Sequence, residues 1–216
     1  MERYQAIIFD FNGVVVDDLR ILETAYLQAA RELGFPLSSK TARDYIAYAP
    51  EQKRAFYFGD ISDQQWEELV RTQTRFYFEL ADKTDLVIPH VREILYSLSK
   101  SYTLALISNT PREYFDRICP QDLAALFKET MLGDEVEEPK PSPEPLIAML
   151  KRLGLRKEQC CYVGDSVLDI EMSKSVGIFA FAVATGANSI EELKRAGADD
   201  VLTSLGELEK RLGSMQ

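Results

Sequence analysis

Four short polar clusters, each just past an apolar run, hold the residues of this sequence that could do chemistry. Asp10-Phe11-Asn12-Gly13-Val14 follows Ala6-Ile7-Ile8-Phe9, and Ser108-Asn109-Thr110 follows Thr103-Leu104-Ala105-Leu106-Ile107. Lys140 lies inside Glu138-Pro139-Lys140-Pro141-Ser142-Pro143, and Gly164-Asp165-Ser166-Val167-Leu168-Asp169 follows Cys160-Cys161-Tyr162-Val163. Asp10 and Asp165 are hard oxygen donors able to share a Mg²⁺ that keeps several waters, with the backbone carbonyl of Asn12 as a third ligand. Ser108 Oγ and nearby backbone amides, Asn109 among them, are suited to phosphoryl oxygens. Lys140 supplies a point charge against two carboxylates and a phosphate. Beside metal and lysine, Asp10 stays ionised and available as a nucleophile.

These clusters converge only if the elements before them are parallel strands. Strand patterns at 6–9, 103–107, 129–132, 160–163, 179–183 and 200–202 alternate with helical ones, which points to a parallel α/β sheet. Such a sheet brings the carboxyl ends of its strands to one edge, where ligands bind. The near-continuous apolar runs at 6–9, 104–107 and 179–183 fit strands covered on both faces. Ser142-Pro143 reads as N-cap and first residue of the helix that ends at Gly154. Residues 18–86 break the rhythm. Leu19 to Leu33 keep helical spacing and stop at Gly34-Phe35-Pro36, and a second long helix starts at Ser62 with Gln65 at capping-box distance. The expected organisation is a Rossmann-like catalytic core, residues 1–17 and 87–216, with an inserted all-helical cap, residues 18–86.

The 216 residues carry a formal net charge of −10, which argues against a general nucleic-acid binder but not against an anionic substrate met by a few local cations. No apolar run approaches the roughly 20 residues of a membrane span, and no signal-peptide block precedes the first strand. Cys119, Cys160 and Cys161 show no metal-ligand spacing and read as buried reduced thiols, so a cytoplasmic protein is expected.

With the four clusters in this order, the chain resembles the haloacid dehalogenase superfamily of hydrolases over essentially its whole length. Asp10-Phe11-Asn12-Gly13-Val14 is similar to that family's first motif, Ser108 to its second, Lys140 to its third, and Gly164-Asp165-Ser166 with Asp169 to its fourth. The resemblance implies a Rossmann-like core, Mg²⁺, and an aspartyl-phosphate on Asp10, with Asp169 holding metal-bound water or Lys140. The helical insertion resembles the cap of the subfamily with phosphoglycolate phosphatases and β-phosphoglucomutase. Thr185-Gly186-Ala187-Asn188-Ser189 and Ala196-Gly197-Ala198-Asp199 resemble the phosphoglycolate-phosphatase branch. The implied function is Mg²⁺-dependent hydrolysis of a small phosphorylated metabolite, phosphoglycolate-like by the tail.

Asn12 departs from the pattern. The family's phosphatases have an aspartate there, which protonates the leaving alkoxide and then activates water; an amide can do neither. General acid–base catalysis contributes about 10² to 10⁴ in rate, so turnover of poor leaving groups should suffer. An engineered aspartate-to-asparagine variant, a natural enzyme with another acid, and a phosphate-binding protein without turnover all fit. A metal-independent 2-haloacid dehalogenase also lacks an acid at this position. Against it, Asp10, Asp165 and Asp169 would repel one another without a cation. Elsewhere the plainer readings are preferred: Asp17 and Asp18 as caps of the first inserted helix, and His90 as a helix start. Arg43, Lys53 and Arg54 read as surface charge, and Tyr57, Phe58, Trp66, Phe76 and Tyr77 as packing.

Overall fold

The structure, a computed structural model, describes residues 4–214. After β1 (Ala6–Phe9) come α1 (Leu19–Leu33), α2 (Ser39–Asp44), α3 (Pro50–Phe58) and α4 (Asp63–Ala81). The chain continues through α5 (Val91–Leu98), β2 (Thr103–Ile107), α6 (Arg112–Ile118), α7 (Gln121–Ala124), β3 (Phe127–Met131) and α8 (Glu144–Leu153). Then follow β4 (Cys160–Gly164), α9 (Val167–Val176), β5 (Phe179–Val183), α10 (Ile190–Arg195), β6 (Asp200–Leu202) and α11 (Leu208–Ser214). Two compact units result, one of Met1–Asp17 with Val87–Gln216, the other of Asp18–Leu86.

In the first unit every strand pairing is parallel and the strand order is β3-β2-β1-β4-β5-β6. The chain fills the sheet outward from β1 to β3, then crosses back to lay β4 on the other side of β1. The carboxyl ends of β1 and β4 therefore flank the point where strand order reverses, the usual ligand crevice of such a sheet. All of β1 and β4 is buried, as strands covered on both faces require. One face packs Ala6, Ile8, Ala105, Ile107, Cys160 and Tyr162 against Leu146 and Met149 of α8 and Met172 of α9. Val16 and Val87 form an isolated antiparallel bridge where the chain leaves and rejoins this unit.

Some boundaries differ from expectation, β3 ending at Met131 rather than 132 and β4 running on to Gly164. β3 begins at Phe127 rather than 129, because exposed Lys128 interrupts the apolar pattern. α8 begins at Glu144: Pro143 has helical dihedrals but stands at the cap, and Ser142 Oγ accepts from the amide of Glu144. Cys119, Cys160 and Cys161 are buried and form no disulfide. His90 stands at the N-cap of α5 with a left-handed φ of 66°.

The second unit is helical. Tyr26, Ala42, Tyr57, Trp66 and Leu69 form its centre, and Tyr57 donates to the carbonyl of Ala42 at 2.6 Å. Ser62 and Gln65 complete a capping box at the start of α4. Two plain readings are corrected here. Asp18 stands at the N-cap of α1, yet its side chain caps nothing there; its Oδ2 accepts from Tyr77 Oη at 2.7 Å instead. Lys53 is buried rather than a surface charge, its ammonium 5.7 Å from the ring centre of Tyr26. Among the described residues no helix is long and apolar enough to cross a membrane.

Candidate active site

β1 delivers Asp10 to the sheet edge with its backbone amide still paired to Val163 of β4, at 2.8 Å. Its Oδ1 accepts from the amide of Phe11 at 2.7 Å and from Lys140 Nζ at 2.8 Å. Gly13 then turns the chain with a φ of +75°, a conformation side chains with a Cβ adopt reluctantly. There is a second reason for glycine: a Cβ there would overlap the carboxylate of Asp165. Gly186 presses on the same carboxylate from the loop after β5, and the neighbouring amide of Ala187 donates to Asp165 Oδ2 at 2.6 Å. Close backbone approach thus fixes Asp165 at the end of β4.

Lys140 is placed by its backbone. Asn109 exchanges two hydrogen bonds with it, Oδ1 accepting from the Lys140 amide at 2.9 Å and Nδ2 donating to its carbonyl at 3.1 Å. Its ammonium bridges Asp10 and Asp169 Oδ1, the latter at 2.7 Å. Asp169 sits in the first turn of α9, where Ser166 and Asp169 form a capping box. Its Oδ2 accepts from Ser166 N at 3.0 Å and Ser166 Oγ at 2.6 Å, and its Oδ1 also accepts from Tyr162 at 2.9 Å. Both oxygens of Asp169 are therefore occupied by the protein.

One ligand oxygen from each of Asp10, Asp165 and Asp169 lies within 4.8 Å of the others, and all three residues are buried. Burial first, then the charge of Asp169, pushes the Asp10 carboxyl up to about 6, against the downward pull of Lys140. Burial likewise drives Asp165 well above the carboxylate range, with Asp10 and then Asp169 adding to it. Burial opposes the charge on Lys140, yet Asp10 and Asp169 together hold it above the ordinary lysine range. One ammonium does not balance three buried carboxylates, a charge excess that suits a further cation. Oδ2 of Asp10 and Oδ1 of Asp165 accept no hydrogen bond from the described residues. Hard, buried and unclaimed, these oxygens fit Mg²⁺.

Asn12 is held by the end of β2. Its Oδ1 accepts from Ser108 Oγ at 3.3 Å and, through a short contact, from Thr110 Oγ1. Ser108 Oγ in turn accepts from the Thr110 amide at 3.2 Å, and the Ser108 amide is paired to Met131 of β3 at 3.0 Å. The seven residues singled out in the sequence, Asp10, Asn12, Ser108, Asn109, Lys140, Asp165 and Asp169, all come from segments at this edge. Asn109 serves the Lys140 backbone, and Asp169 serves Lys140. Sequence reasoning assigned no role to Thr110, Tyr162 or the amide of Ala187. Thr110 lies in the cluster after β2 and Ala187 in the segment 185–189 that carries part of the resemblance, whereas Tyr162 lies within an apolar strand with no distinguishing signal.

A doubly wound parallel sheet with a buried carboxylate–lysine centre at its switch point defines a class of α/β hydrolytic folds. The chain belongs to the haloacid dehalogenase-like hydrolase family, which it matches over residues 7–183. It is 30% identical to a phosphoglycolate phosphatase of Vibrio cholerae serotype O1, over 96% of each chain. A solved candidate β-phosphoglucomutase from Thermotoga maritima is similar at 28% identity and a TM-score of 0.72, over 98% of this chain and 100% of that one. A candidate phosphoglycolate phosphatase from Haemophilus somnus shares the fold at 21% identity and a TM-score of 0.83, over 98% and 99% of the two chains.

Proposed function

We propose that this hydrolase is a Mg²⁺-dependent phosphohydrolase of small phosphorylated metabolites, with Asp10 as the phosphoryl acceptor. The observation that carries the reading is the Asp10–Lys140–Asp169 bridge beside Asp165, a buried anionic centre with unclaimed oxygens on Asp10 and Asp165. Asp10, Asp165 and the carbonyl of Asn12 would hold Mg²⁺, with Asp169 holding Lys140 in place. Bound there, the ion would offset the charge of the carboxylates and the phosphoryl oxygens. Lys140 keeps Asp10 aimed and ionised, and shares the charge of the transferring group. Catalysis of this kind is mostly positioning and electrostatics. A dehalogenase would have no use for three carboxylates at one point.

The test is phosphate release by the purified chain from phosphoglycolate, p-nitrophenyl phosphate and acetyl phosphate, with Mg²⁺ and with EDTA. Phosphoglycolate belongs in the panel because similar proteins are named for it. Release from at least one donor should require Mg²⁺ and vanish in Asp10→Ala. Metal-independent halide release from a 2-haloacid, or full activity in Asp10→Ala, would overturn the reading.

A further inference from the structure

We propose, resting on the phosphohydrolase reading, that Thr110 is a positioning residue fixing Asn12 as a permanent amide donor, and that the centre therefore takes acyl phosphates rather than alkyl phosphates. Asn12 Oδ1 accepts from both the Thr110 and the Ser108 hydroxyls. The Thr110 amide already donates to Ser108 Oγ, which leaves the proton of that hydroxyl for Asn12. With both lone pairs of Oδ1 engaged, the two N–H donors of Asn12 lie on the other side of its amide. The clamp thus orients a donor that cannot release its proton. An aspartate in the same clamp would set its second oxygen where Nδ2 now stands, so the geometry is complete and only the proton is missing.

The balance of the reaction then selects the substrate. Asp10 attacks phosphorus, an Asp10 O–P bond forms and the donor's P–O bond breaks, its electron pair leaving with the donor oxygen. From an acyl phosphate that oxygen departs as a carboxylate, which needs no proton; the step exchanges one carboxylic–phosphoric anhydride for another. From an alkyl phosphate it departs as an alkoxide, which must be protonated, and Asn12 cannot supply that proton. In the second step water attacks phosphorus and the P–O bond to Asp10 breaks, returning its electron pair to the Asp10 carboxylate. Both water protons stay on the product, dihydrogen phosphate, so this step proceeds slowly without a base.

The experiment compares kcat/KM, which reads only the steps up to departure of the leaving group, for acetyl phosphate and phosphoglycolate with Mg²⁺. Asn12→Asp should raise the phosphoglycolate value by about 10² to 10⁴ and change the acetyl phosphate value by less than about tenfold. Added to Asn12→Asp, Thr110→Val should remove at least about tenfold of that gain, through loss of orientation, and Thr110→Ser should keep it. Equal gains on both donors, or a gain indifferent to Thr110→Val, would overturn the proposal while leaving a phosphohydrolase. No Mg²⁺-dependent phosphate release from any donor by either form would overturn the phosphohydrolase reading and this inference with it.

Discussion

Lys140 Nζ lies 2.8 Å from Asp10 Oδ1, with both side chains more than nine-tenths buried. A buried pair of this kind is costly to break from one side, because the partner is left charged and unsolvated. Lys140→Met should therefore destabilise the chain by about 3–5 kcal/mol in metal-free denaturant unfolding and abolish turnover. Lys140→Arg should restore charge but little activity, since the planar guanidinium fork does not reproduce the ammonium's two contacts. Parent-like turnover in Lys140→Met would contradict its assignment.

Mg²⁺ should stabilise the folded chain. At about 100 times its dissociation constant the gain should be about 2.7 kcal/mol, visible as a raised thermal midpoint that EDTA reverses. Asp165→Asn should weaken that response. Gly186→Ala should weaken it too, because the added Cβ would overlap the Asp165 carboxylate. An unchanged Mg²⁺ response in both variants would place the ion elsewhere.

Lys53 gives the helical unit a pH dependence of its own. Burial pushes its ammonium down to about 7, against the upward pull of Asp18. An unfolded lysine titrates near 10.4, so between about 7 and 10 the unfolded chain holds more protons than the folded one. Stability from this group therefore rises with pH across that window. Lys53→Met should be more stable than the parent at pH 6, and the gap in thermal midpoint should narrow by pH 9. A gap that widens with pH would mean that the ammonium is favoured, not disfavoured, by its surroundings.

The Asp18–Tyr77 hydrogen bond, at 2.7 Å, is buried and joins α4 to the cap of α1. Tyr77→Phe should cost about 1–3 kcal/mol by leaving a buried carboxylate oxygen short of a donor. Asp18→Asn, which keeps an acceptor for the Tyr77 hydroxyl, should cost less. Equal costs would mean that the charge rather than the hydrogen bond matters.

What the sequence disclosed follows from where its polarity lies. Asp10, Ser108 and Asp165 each end an apolar strand, so a parallel sheet had to bring them to one edge. Asp169 stands in the first turn of α9 through a capping box with Ser166 that the structure shows, and its service to Lys140 was implied only by family resemblance. Thr110 was different: it meets Asn12 across 98 positions of chain, a contact with no local signal. The burial of Lys53 was hidden for a similar reason. Helix α3 carries Lys53 and Arg54 side by side, and only tertiary packing decides that the first is buried and the second pairs with Asp63. Asp18 looked like a cap because of its place before α1, and the distant Tyr77 hydroxyl claims it instead.

The central claim is that Asp10 accepts the phosphoryl group. Because Asn12 cannot take a proton from water, the covalent intermediate should accumulate during turnover. The most direct measurement is mass spectrometry of the chain quenched in acid during turnover of acetyl phosphate with Mg²⁺. The account predicts a phosphoryl group on the peptide containing Asp10, lost with EDTA and absent from Asp10→Ala. Turnover with no phosphorylated peptide, or the same modification in Asp10→Ala, would contradict it.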